Sequence, residues 1–204
     1  VNDFYVENSY GLMNVTATVV GPYRAKNNSS YYKTHGSDSI SKSNVRDLVR
    51  EAIKAAKDDI QFKDFDVNED KFVDAIHIVF SGYAEDWNDH IGLIWAHHWQ
   101  LSTAVWQGLY RAKEYFITSE LAEDSGTKIA PVGTVCHEYG HRLGAPDYYC
   151  HNNRYNGTGH WDLMASGSWN GPTGGEGRCP AHHNPYTKAY IFNWVTPMII
   201  NSSV

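Results

Sequence analysis

The chain has 204 residues, 42% of them hydrophobic, with a formal net charge of -6. That length holds one domain with a substantial core, or two lobes around a cleft. The apolar share excludes a disordered polar segment, and the acidic balance excludes a basic nucleic-acid binder.

No run approaches the length of a membrane span, and the amino-terminal VNDFYVENSYG lacks the charged and apolar regions of a signal peptide, which predicts a mature or trimmed chain. Residues 1–42 predict a strand over Asn14 to Val20, then Gly21 and Pro22, then a polar loop from Lys26 to Ser43. Tyr5, Tyr10, Tyr23, Tyr31 and Tyr32 read as packing residues. From Asn44 the pattern turns helical: Val45, Leu48, Val49, Ala52, Ile53 and Ala56 fall on one face, with Ser43 or Asn44 as cap. This predicts a backing helix.

In DFDVNEDKFVD, residues 64–74, Asp66, Asn68, Asp70 and Asp74 alternate like the oxygen ligands of a calcium loop, with the carbonyl of Phe72 in place for a further bond. Lys71 stands where such loops prefer glycine, and His77 where a bidentate glutamate would be. Two readings stay open here, a calcium loop and a solvated acidic turn before a strand. Phe72 to Phe80 predicts a buried strand ended by Ser81 and Gly82. After a polar connection, Tyr83 to Asp89, the stretch Ile91 to Leu101 predicts another. His97 and His98 are adjacent, so on a strand they face opposite ways and cannot clamp one ion. Tyr115 to Leu121 predicts a third short strand.

Next comes CHEYGHRLGAPDYY, Cys136 to Tyr149, on a helix predicted to begin near Ile129 with Pro131 in its first turn. His137 and His141 are four residues apart and share a face, so both imidazoles reach one ion. Gly144 can take the left-handed conformation that stops the helix and returns the chain, which makes Asp147 the third ligand. Three ligands leave a tetrahedral zinc one open position for water, and Glu138 stands beside it as general base. A bare HExxH arises by chance on amphipathic helices; Gly144, Asp147 and a downstream methionine turn at Met164 are the context that makes it a motif.

Three cysteines cannot all pair within one chain and form no CxxC. Cys136 reads as a small core residue, while Cys150 and Cys179 flank the Met164 loop and are placed for a bridge. From His151 to Gly177 glycine and asparagine dominate, the composition of substrate-binding walls, and WDLMASGSWNG lies within. HNPYTKAYIFNWV then predicts a closing helix capped by Asn184 with Pro185 first.

HEYGHRLGAPDYY with WDLMASGSWNG resembles the immune inhibitor A type of secreted bacterial metalloproteases, within the metzincin-like zinc peptidases. The likeness extends to ENSYGLMNVTATVVGPY, FVDAIHIVFSGY, IWAHHW and FNWVTP, nearly the whole chain. It implies an α+β metzincin-like domain with a mixed sheet, a backing helix, a zinc-motif helix and a loop-rich C-terminal part, divided as 1–144 and 145–204. It implies zinc on His137, His141 and Asp147, Glu138 as base, Met164 in the Met-turn and a secreted or cell-surface bacterial location. An aspartate-rich segment of that family also resembles the turn around Asp66.

Asp147 stands where better-known metzincins carry a third histidine, and Ser166 where some carry a metal-binding tyrosine. Tyr155, His160 and Trp169 are candidates, by location, for stabilising a transition state. The expected activity is hydrolysis of protein or peptide by a monomer, with substrate adding as a strand along Ile91 to Trp99. Two alternatives remain: an inactive zinc-containing module that holds glycans or peptides, and a zinc hydrolase whose third ligand is Glu176 or His160.

Overall fold

A computed structural model describes residues 1–33, 44–87, 93–123, 126–150, 155–173 and 175–200. Its main elements are helices α1 (Asn2–Asn8), α2 (Ser29–Tyr32), α3 (Val45–Ala56) and α4 (Val132–Arg142), and strands β1 (His77–Tyr83), β2 (His97–Gln107) and β3 (Tyr110–Leu121). The fold is α+β with a small mixed sheet. The chain divides into two compact units, Thr18–Ala130 and Val1–Ala17 with Pro131–Val204. This division differs from one at 144/145, because the motif helix clusters with the carboxy-terminal residues and with the first seventeen.

In the unit Thr18–Ala130, β3 is central, parallel to β1 and antiparallel to β2. Val45, Val49 and Ile53, one face of α3, are buried in a core with Leu101 and Val105 of β2 and Tyr115 and Ile117 of β3. The backing helix is therefore where its periodicity puts it. Asn44 is its N-cap through the backbone carbonyl, which accepts from Asp47 N–H at 2.8 Å; Ser43 lies outside the described residues. The strands are shifted from expectation. β1 starts at His77, since Phe72 makes only an isolated bridge to Arg111. β2 starts and ends later than predicted, at His97 and Gln107, and β3 starts earlier, at Tyr110, the two forming a hairpin through Gly108 and Leu109. Of the segment Ile91 to Trp99, residues 91 and 92 lie outside the described set, and His97 to Trp99 open the edge strand β2.

The acidic turn is a closed backbone loop. Asp66 Oδ1 accepts from Asp70 N–H at 2.9 Å and its Oδ2 from Lys71 N–H at 3.0 Å, while Asp74 Oδ2 accepts from Val67 N–H at 2.8 Å. Lys71 takes φ 72°, so it adopts the left-handed conformation for which glycine was expected.

The stretch Asn14 to Val20 forms no strand, and in the unit Val1–Ala17 with Pro131–Val204 a helix not foreseen, α1, precedes it. Tyr5 of α1 is fully buried; its hydroxyl donates to the Cys136 carbonyl at 2.7 Å and its ring meets Tyr139 edge-on at 5.0 Å. A second core gathers Tyr5, Cys136, Ala145, Leu163 and Met164 beneath α4. That helix starts at Val132 rather than Ile129, with Pro131 as N-cap, because Ile129 bridges Leu121 and Ala130 N–H donates to Glu120 at 2.9 Å, holding both residues extended. Cys136, Cys150 and Cys179 are thiols, and no disulfide joins the last two. Asn184 caps as expected, its Oδ1 accepting from Thr187 N–H at 2.9 Å, but the segment it opens is π-helical over Thr187–Ile191. No helix among the described residues is long and apolar enough to cross a membrane.

Candidate metal centre

The end of α4 builds the site. Gly144 has φ 101° and donates to His141 O at 2.9 Å, and Ala145 N–H reaches back to Gly140 O at 3.0 Å. These two bonds make a complete Schellman termination. The turn aims the next carbonyl, that of Ala145, at His141 Nδ1, 2.8 Å away. His137 Nδ1 is held in the same way by Leu163 O at 2.9 Å. With each Nδ1 donating to a backbone carbonyl, both rings present Nε2 as the lone-pair nitrogen.

Both Nε2 atoms point at one carboxylate oxygen. Asp147 Oδ1 stands 3.2 Å from His137 Nε2 and 3.3 Å from His141 Nε2. Ligands of a tetrahedral zinc with bonds of about 2.0–2.1 Å are separated by about 3.3 Å, so these spacings fit the edges of such a polyhedron. Among the described residues this is the one group of three His, Cys, Asp or Glu side chains whose ligand atoms lie within 4.8 Å of one another. Neither His160 nor Glu176 belongs to it.

The electrostatics favour a cation at this point. Burial opposes a charged imidazole at His137, but the bond to Asp147, the charge of Glu138 and the Leu163 carbonyl outweigh it and raise the pKa to about 9. His141 is raised against burial by the same two carboxylates. Asp147 lies well below the usual carboxylate range: burial resists its ionisation, and the two imidazoles overcome it. A divalent ion competes for the same lone pairs that otherwise share protons. Glu138, buried beside His137, acts electrostatically on both imidazoles and on Tyr149, so it shares their surroundings.

Met164 is fully buried under α4. Its carbonyl accepts from Tyr148 N–H at 2.8 Å, so residues 163 and 164 brace His137 on one side and the chain after Asp147 on the other. Asp162, fully buried, fixes this turn: its Oδ1 accepts from Met164 N–H at 3.1 Å, and its Oδ2 from Thr158 Oγ1 at 3.2 Å and from Asn184 Nδ2. The sequence reading missed Asp162, although a carboxylate between Trp161 and Leu163 was its signal. Of the transition-state candidates, Tyr155 is exposed and His160 is bound to Asn170 through Nδ1 at 3.0 Å. Trp169 and Ser166 lie in a 3-10 turn, Ser166–Trp169.

The sequence profile of the family described as immune inhibitor A peptidase M6, catalytic domain, matches residues 1–195. The chain is similar to the pre-pro-metalloprotease PrtV of Vibrio cholerae serotype O1, 28% identical over 228 residues, which cover 98% of this chain and 24% of the relative. It is also similar to immune inhibitor A of Bacillus thuringiensis subsp. alesti, 29% identical over 224 residues, 92% of this chain and 31% of the relative. The chain thus spans 24% and 31% of the length of these curated relatives.

Proposed function

This chain belongs to the immune inhibitor A peptidases of family M6, and from that premise we propose that it is a zinc-dependent endopeptidase domain, metzincin-like in layout, acting on extracellular proteins or peptides from a secreted or cell-surface bacterial protein. The observation that carries the reading is the convergence of two imidazole Nε2 atoms on one Asp147 oxygen at 3.2 and 3.3 Å, with Glu138 alongside. His137, His141 and Asp147 would hold the ion; two neutral imidazoles and a carboxylate leave a zinc site with net positive charge. Zinc, when bound, supplies Lewis acidity toward the scissile carbonyl and the attacking water. Glu138 accepts the proton of that water and passes it to the leaving amine. Met164 and Leu163 hold the ligands in register from below. A calcium ion on Asp66, Asn68, Asp70, Asp74 and the Phe72 carbonyl is the second part of the proposal, supported by the loop shape of residues 66–74.

The test is Glu138→Gln, assayed on casein and a peptide library read by mass spectrometry. The variant keeps its fold and metal content and loses about 10²- to 10⁴-fold in kcat/KM, the usual worth of a general base. Chelation abolishes wild-type cleavage and zinc restores it. Parental activity in Glu138→Gln with metal bound rules out the acid–base role. Cleavage absent from metal-loaded wild type favours the inactive binding module.

A further inference from the structure

His137 owes its direction to one peptide unit. The carbonyl that accepts from its Nδ1 at 2.9 Å is that of Leu163, and the N–H of the same unit is that of Met164. That N–H donates to Asp162 Oδ1 at 3.1 Å. A trans peptide is planar, with its N–H and C=O pointing opposite ways, so gripping one end aims the other. The fully buried Asp162 carboxylate and the His137 ring therefore sit at the two ends of one rigid plate.

We propose that Asp162 is the positioning residue of the first ligand: by holding the 163–164 peptide from behind, its carboxylate keeps His137 Nε2 aimed at the metal point and sets the affinity for zinc. The inference rests on the proposed zinc site. Three observations support it. The turn closes around Asp162, whose backbone carbonyl accepts from the N–H groups of Ala165 and Gly167, both at 3.1 Å. Leu163 is held on its other side as well, its N–H donating to the His182 carbonyl at 3.1 Å, so neither peptide flanking it is free to turn. The third observation is the chemistry demanded at position 162. A side-chain turn of this kind needs one oxygen, and asparagine would supply it. Here Oδ2 accepts as well, from Thr158 Oγ1 at 3.2 Å and from Asn184 Nδ2. Asn184 has its own oxygen committed to Thr187 N–H at 2.9 Å, so its amide donates and the partner at 162 has to accept. A carboxylate on the N–H also polarises the peptide and makes Leu163 O a stronger acceptor for His137. Hydrogen-bond partners behind metal-bound imidazoles are commonly worth about 10- to 100-fold in affinity.

The experiment titrates zinc against a chromophoric chelator into metal-stripped wild type, Asp162→Asn, Asn184→Asp, the double variant carrying both, Thr158→Val, Val49→Ala and His141→Ala. Cobalt spectra and circular dichroism are recorded for each. Either single exchange at 162 or 184 sets like groups face to face, two amides or two carboxylates, and loosens the grip on the peptide. The zinc dissociation constant of Asp162→Asn rises about 10- to 100-fold, its cobalt ligand-field bands shift, and Asn184→Asp moves the same way. The double variant restores donor against acceptor with the partners exchanged, and both readings return toward wild type. Thr158→Val, at an exposed position, removes one donor from Oδ2 and moves the constant in the same direction by less, which keeps the test readable where a single exchange fails to fold. Val49→Ala empties core space in the unit Thr18–Ala130 and lowers the thermal midpoint with zinc affinity unchanged. A wild-type constant in every folded variant at 158, 162 and 184 overturns the proposal. So does a weakened constant that the folded double variant fails to restore, or an equal weakening in Val49→Ala, the mark of general destabilisation. Equal zinc binding by wild type and His141→Ala shows instead that the ion is not held by the triad, and the role of Asp162 falls with that site.

Discussion

Gly140 stands one residue before the second imidazole, and a Cβ there would lie 2.7 Å from Met164 Sδ and 2.9 Å from His183 Cε1. Two effects oppose each other in Gly140→Ala. Alanine improves the intrinsic helix preference by about 1 kcal/mol, while overpacking a full core costs typically about 1–3 kcal/mol. Met164 is fully buried and the His183 ring is wedged against Phe192 and Trp194, so neither neighbour has room to retreat and the clash wins. The expected result is a net loss of up to about 2 kcal/mol, a fall of up to about 8 °C in the thermal midpoint at this size. A rise in the midpoint would show that the helix rests on its methionine more loosely than the distances say. The same residue marks the limit of sequence reading at this scale. The convergence of His137, His141 and Asp147 was legible because helical spacing and one glycine stop determine where their side chains go. The Leu163 and Ala145 carbonyls were not, because any residue type supplies a carbonyl and only the fold says which one faces an imidazole.

Elements were legible where their pattern matched their burial. α3 was, since Val45, Val49 and Ile53 at helical spacing meet the sheet. α1 was not: seven residues with no side-chain cap carry little local signal, and its stability comes from Tyr5 packed under α4. Asn14 to Val20 has strand composition but finds no partner among the described residues, which β-propensity alone cannot foresee. The turn 66–74 is an element of a third kind, its backbone already in loop form. Asp66 ties the N–H groups of Asp70 and Lys71, while Asp70 Oδ1 accepts from Phe72 N–H at 2.7 Å and its Oδ2 from Asn68 Nδ2 at 3.1 Å. If calcium sits there with a dissociation constant near 10 µM, 1 mM calcium stabilises the fold by about 2.7 kcal/mol. Differential scanning calorimetry of zinc-loaded protein should show that shift with calcium and lose it in Asp70→Ala. A midpoint indifferent to calcium assigns residues 66–74 to a solvated turn.

Across the whole molecule, each compact unit buries an imidazole outside the metal group. His97, 4% exposed, bonds the Trp95 carbonyl at 2.6 Å and meets the Tyr115 hydroxyl at 3.2 Å; burial lowers its pKa to about 4, against a smaller opposing pull from that carbonyl. His183, 2% exposed, is lowered to about 3, by burial first and then by the charge of Lys188. Both folded-state values lie below the unfolded value of about 6.5. Between these limits the unfolded chain binds protons that the native chain refuses, so stability rises with pH. The contribution is whole above about pH 6.5 and is lost as pH falls through about 4 for His97 and about 3 for His183, at most roughly 3 kcal/mol for the first and roughly 5 kcal/mol for the second. Because the two histidines sit in different units, acid should weaken both. Chemical denaturation of the metal-stripped protein at pH 7, 6 and 5 measures this directly. In His97→Gln and in His183→Gln the slope of unfolding free energy against pH should flatten by up to one proton over that range, even though each variant starts less stable at pH 7. An unchanged slope in both would mean that these imidazoles already take up their protons in the native state, and the acid sensitivity would have to arise in the carboxylates.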